Sequence, residues 1–207
     1  MNATQQNARP AKGRKGISTI ILVIALAALC FWGSKRYNAL VNMDEGVNKA
    51  WSMVENQYQR RADLIPNLVN VVKGYAAHEK ETLEGVIKAR AQATQVKIDP
   101  QNMTQEQLQA FQSQQDQLSQ ALGKLMVVIE RYPELKADRN FLQLQAQLEE
   151  TENRITLTRD DFNNAANSYN VYVRKFPNNI VAGIFGFHQR PYFKAMEGSE
   201  KAPTVTF

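Results

Sequence analysis

The decapeptide QRRADLIPNL, Gln59–Leu68, decides the path of the chain. Apolar residues at helical spacing run into it from both sides, yet Pro66 stands in its middle. A proline in a helix interior removes a backbone donor and costs about 3 kcal/mol. Two readings follow. In one, Asp63 is an N-cap and Pro66 sits in a first turn, where its missing donor is harmless. Arg60, Arg61, Asp63 and Pro66 then form a tight corner. In the other, the phase Val47, Trp51, Val54, Tyr58, Ala62, Ile65, Val69, Val72 runs unbroken through one long kinked helix.

Lengths favour the corner. It divides the body into helices of roughly 37–61, 64–97, 104–131 and 134–176, comparable enough to cover one another as antiparallel partners. A single helix would reach about 90 Å with no partner of similar length. The corner also sets where the C-terminal tail lies. With it, the chain runs out, back, out and back, ending at the starting level. A continuous helix is expected to change that parity and carry the tail away.

The remaining breaks are plainer. Asp99-Pro100 ends one run, and Thr104 with Gln107 makes a capping box. Pro133 suits the first turn of a new helix. Pro177-Asn178-Asn179 stops the last helix at Phe176. Leu108, Phe111, Leu118, Leu122, Leu125 and Ile129 form one seam, with Gln115 filling a position in it. Phe141, Leu148, Ile155, Phe162, Tyr169, Val173 and Phe176 form another. The Gln-rich stretch Gln101–Gln120 reads as a solvated helix face around the first of these seams. No useful stretch alternates with period two. The fold class is therefore all-α: an N-terminal transmembrane helix and an antiparallel up-and-down bundle. Four helices are favoured, with three including one long kinked helix as the alternative.

Ile17–Gly33, ISTIILVIALAALCFWG, carries no charge. As a helix of about 26 Å it comes slightly short of a hydrocarbon core of about 30 Å. Trp32, Lys35, Arg36 and Tyr37 suit an interface. No clean small-x-small site ends the run, and Leu29 before Cys30 spoils a lipoprotein site, so a retained anchor is favoured over cleavage. Arg9, Lys12, Arg14 and Lys15 precede the segment and only Lys35 and Arg36 follow it. That bias favours a cytoplasmic N-terminus and an extracytoplasmic body, periplasmic where an outer membrane exists. The expected organisation is a disordered basic tail at 1–16, a transmembrane helix at 17–34, a bundle at 35–176 and an apolar, aromatic tail at 177–207.

Those six cations outweigh the net charge of +5. The rest of the chain carries about −1 and offers no basic face for nucleic acid. Cys30 is the only cysteine and His78 and His188 are the only histidines. No catalytic residue, metal site or cofactor is expected. HEKE at His78–Glu81 lacks the second histidine of a zinc helix and reads as a polar face. Glu79 and Arg90 fall near seam positions suited to a buried structural pair.

Two segments resemble the LemA family: Tyr37–Glu79, and Arg131–Phe187 with Pro191–Phe193 beyond it. The run from Arg60 to Val69 and the FPNN…FGF tail carry the resemblance. It implies a bacterial single-pass membrane protein with an antiparallel helical bundle, and names no reaction. A membrane-tethered scaffold or adaptor for other membrane proteins is the leading expectation, with homo-oligomers also compatible. A membrane-surface remodelling module is the alternative, and a hydrolase is disfavoured by the thin inventory. The tail either covers the open end of the bundle or presents Phe185, Phe187, Tyr192 and Phe193 to lipid or a partner.

Overall fold

The structure is a computed structural model that describes residues 14–194. It is all-α over that range. Helix α1 spans Arg14–Tyr75, α2 Lys80–Gln95, α3 Gln105–Ile129, α4 Pro133–Lys136, α5 Arg139–Arg174 and α6 Asn178–Phe185. A 3₁₀ turn at Pro100–Asn102 links α2 to α3.

The corner does not form. Arg60, Arg61, Asp63 and Pro66 all lie within α1, a single helix of 62 residues. Asp63 caps nothing; its carboxylate accepts from Gln59 Nε2 one turn earlier at 2.8 Å. The physical reason lies elsewhere in the chain. Pro66 has no N–H for the carbonyl of Ala62, its i−4 acceptor. Nε of Arg90, on α2, donates to that carbonyl at 2.6 Å. The proline ring itself faces solvent. The lost helix bond is thus replaced by a tertiary one. Arg90 is therefore not the partner of Glu79, which instead takes Arg131 Nη2 and the Tyr132 hydroxyl, each at 2.9 Å.

The length argument failed because the bundle leaves the start of α1 uncovered. Among the described residues, the apolar window at the start of α1 is not buried. Only the portion from about residue 37 needs covering, about 58 Å, and α5 supplies about 54 Å. These two helices make the most extensive contact in the fold. The chain reverses instead at Ala76–Glu79, where Glu79 N–H donates to Ala76 O at 3.1 Å. Helices α2 and α3 then form a short hairpin against the distal part of α1, distal meaning away from the apolar segment. This hairpin preserves the parity of the path, so α5 still returns toward the apolar segment: Arg36 Nη1 reaches the Tyr172 hydroxyl at 3.5 Å.

Local signals behave as their chemistry requires. Thr104 and Gln107 form a reciprocal capping box on α3. Pro133 opens α4. The helix expected over roughly 134–176 is divided, because the Asp138 carboxylate accepts from Phe141 N–H at 2.9 Å and caps a fresh start. Beyond Pro177 the chain resumes as α6. Gly186 ends it at φ 75°, a left-handed conformation natural to glycine.

Buried side chains form two clusters. The proximal one contains Trp51, Tyr58, Phe111, Phe162, Tyr169 and Phe193. The distal one contains Ile65, Leu68, Val72, Leu118, Leu125 and Leu148. Between them runs a polar layer, the waist of the bundle. Arg61, 2% exposed, donates to Gln115 Oε1 at 2.7 Å, Glu152 Oε2 at 2.8 Å and Ser119 Oγ at 2.9 Å. Gln115 Nε2 donates on to Ala93 O at 3.2 Å. The layer therefore joins α1, α2, α3 and α5 at one level.

Candidate functional site

The features that no simple bundle requires gather at the proximal end, where α1 leaves the core toward its apolar segment. After Gly186 the chain runs back up the bundle as an extended strap, Phe187–Lys194. An extended segment without a neighbouring strand leaves its N–H and C=O groups unpaired. Here side-chain amides from two helices pair with them. Asn170 on α5 donates to Arg190 O and accepts from Arg190 N–H, both at 2.8 Å. Asn163 does the same for Phe193, at 3.1 and 2.9 Å. From α3, Gln105 Nε2 donates to Tyr192 O at 3.2 Å and Gln112 Nε2 to Lys194 O at 3.1 Å. Seven helical residues rise about 10.5 Å. Three extended residues rise about 10 Å. Asn163 and Asn170 therefore keep register with Phe193 and Arg190.

Arg190 locks the strap to α1. It is buried, with Nη2 at 2.7 Å and Nε at 3.1 Å from Asp44 Oδ1, and Nη1 donates to Pro100 O. Burial, aided by the Asp44 carboxylate, pushes the Tyr169 hydroxyl up to about 12. Phe193 closes the proximal core. Its ring stacks on Trp51 at 6.1 Å and meets Phe162 edge-on at 5.5 Å.

The four aromatic residues expected to contact lipid or a partner are thus separated. Phe193 is core, only 6% exposed, which removes it as an external anchor. The strap folds back instead of trailing away, and that is why the ring is buried. Tyr192 is at the surface, its hydroxyl accepting from Asn170 at 2.8 Å. Phe187 is half-buried against the core. Phe185 is exposed, with its ring 4.8 Å from that of Tyr37. A cleft of about 590 Å³ opens beside it, lined by Tyr37, Asp44, Tyr169, Phe187, His188 and Arg190. Sequence reasoning missed Arg190, Asp44, Asn163 and Asn170; the seven-residue Asn spacing was the available signal. His78 and His188 are both exposed. Among the described residues no three His, Cys, Asp or Glu side chains gather as a metal site.

The family model described as "LemA family" matches residues 50–207, which holds the waist, α5 and the strap. The chain belongs to the LemA family. Among curated proteins this LemA-family chain is similar to "Magnetosome protein MamQ 1" of Paramagnetospirillum magneticum, 29% identical across 94% of this chain and 78% of the relative. The similarity to "Magnetosome protein MamQ" of Magnetospirillum gryphiswaldense is also 29%, over 96% and 79%. "Protein LemA" of Metamycoplasma hominis is 26% identical over 86% and 76%.

Proposed function

We propose that this LemA-family chain is a membrane-anchored, non-enzymatic scaffold or adaptor that presents its bundle outside the cytoplasm to other membrane proteins. One observation carries the reading. The helix containing the apolar segment is the same helix that forms the wall of both cores, without a linker. A bundle built this way is held upright and moves with its anchor, which suits holding partners at a fixed height and suits catalysis no better than any stalk. Its exposed apolar segment supports insertion in a bilayer. The relatives' names specify no reaction.

The test uses the full chain with Cys30→Ser and Val127→Cys. Labelling of Val127→Cys by an impermeant maleimide in intact cells is the expected result; protection until lysis reverses the topology. Crosslinking in native membranes should give recurrent adducts with the same membrane protein. Turnover of a substrate by the purified chain that vanishes on His78→Ala or His188→Ala would end the non-enzymatic reading. Membrane-surface remodelling is a second reading, favoured by the exposed apolar side chains of α6.

A further inference from the structure

Helix α6 has a face that the bundle does not use. Asn178, Val181 and Ala182 are buried against the core. On the opposite side Ile180 and Ile184 stand one turn apart, with Ile184 72% exposed. Phe176, expected in the α5 seam, lies beyond the end of that helix and is 80% exposed, and Phe185 closes the stripe beside Tyr37. Four large apolar side chains in one solvent-facing group are uncommon on a soluble surface and mark a contact.

Their height along α1 indicates what they contact. The apolar run to Gly33 falls about 4 Å short of a hydrocarbon core, and the headgroup zone adds about 5–7 Å on each side. Tyr37 lies four residues past Gly33, about 6 Å further along the axis. Phe185, packed on Tyr37, therefore sits at headgroup level. Tyr172 reaches Arg36, so the chain leaving α5 toward Phe176 is directed at the same zone. Charge agrees. Lys35, Arg36, Arg174 and Lys175 lie around this level, and no acidic residue occurs at 17–43 or 162–194. Cations beside an apolar stripe suit anionic headgroups over acyl chains.

We propose that the α6 end of the bundle is a second lipid-facing surface. Phe176, Ile180, Ile184 and Phe185 enter the bilayer interface while Arg174 and Lys175, with Lys35 and Arg36, engage anionic headgroups. The bundle is then seated on the membrane and not held off it on a bare stalk. The inference rests on the anchor reading above.

The experiment places a nitroxide at Ile184→Cys in the full chain carrying Cys30→Ser, with matched labels at Leu26→Cys and Val127→Cys. Each is reconstituted in bilayers of phosphatidylcholine with phosphatidylglycerol, and relaxation by oxygen is compared with relaxation by a water-soluble nickel chelate. The Ile184 label should be several-fold less accessible to nickel than the Val127 label. That protection should fall on Arg174→Gln with Lys175→Gln, or when phosphatidylglycerol is omitted. An Ile184 label as nickel-accessible as the Val127 label overturns the proposal, as does protection indifferent to both charge changes. The Leu26 label separates the two readings. If it is protected while the Ile184 label is not, the anchor stands and only this inference falls. If Leu26 is also exposed to nickel, the anchor reading fails and takes this one with it.

Discussion

The proximal half of the bundle packs rings, and the distal half packs aliphatic chains. In the proximal core Trp51, Phe111, Phe162 and Phe193 meet at centroid distances of 5.4–6.1 Å, with Tyr58 on Phe111 at 5.0 Å. In the distal core Phe141 is the only fully buried ring. The contrast tracks topology. The distal core is closed by α2 and α3, elements adjacent in sequence. The proximal core is closed by a strap from the far end of the chain, held by an ion pair spanning 146 residues. Large rings and charge-assisted bonds give an irregular segment enough contact to offset the entropy of ordering it. The polar layer at Arg61 divides the two, and such layers fix register at a cost in stability.

Several substitutions would break or sharpen this contrast, and they rank by size. Phe193→Ala should cost about 4 kcal/mol, because the ring leaves a cavity between Trp51 and Phe162. Denaturant unfolding measures it; a cost under that of Leu68→Ala in the distal core would mean that the strap is a mere cover. Arg190→Ala should cost about 3 kcal/mol, since it strands a largely buried Asp44 carboxylate. Arg61→Ala should cost less, about 2 kcal/mol, because its closest buried partner, Gln115, is neutral and Glu152 can turn to water. Equal costs for the two arginines would erase the distinction between a clasp and a register layer.

Alkaline stability supplies a further difference, of about 1–2 kcal/mol. Folded Tyr169 holds its proton to about pH 12, whereas the unfolded chain releases it near pH 10. The native state therefore binds more protons in that window, and stability falls as pH rises through it. Tyr169→Phe should flatten the decline between these values, measured by denaturant midpoints; an unchanged slope would contradict the burial argument. The smallest effect concerns Pro66. Pro66→Ala should change stability by under about 1 kcal/mol, the restored helix bond competing with Arg90 for one carbonyl. Arg90→Ala should then cost less in the Pro66→Ala background than in the native one. A double-mutant cycle without such coupling would refute the replacement of one bond by the other.

Much of this was legible in the residues. Thr104 with Gln107, Pro133 and the seams through Leu118 and Ile155 predicted where helices start and which faces they bury. Pro66 misled because the group that compensates it, Arg90, is on another helix, and tertiary donors leave no local trace. The tail misled for a related reason. Pro177-Asn178-Asn179 read as the end of helix, but the chain resumes as α6 through Gly183 and only Gly186 ends it. Phe193 stayed open between cover and external anchor because nothing near it in sequence announces that Asn163 holds its backbone. The Gln-rich stretch read as a solvated face around a seam that already held Gln115, yet Gln105 and Gln112 also bond the strap. Side-chain amides seven residues apart on two helices were the pattern to recognise.

The central claim is that one rigid helix runs from the apolar segment through the waist of the bundle. The direct measurement is an electron–electron resonance distance between nitroxides on native Cys30 and on Asn70→Cys, in the full chain in lipid bilayers. A continuous α1 predicts a narrow distribution centred at about 60 Å. A distribution near 33 Å, as a reversal at Arg60–Asp63 would produce, or a broad one reporting a hinge between anchor and bundle, would contradict the account.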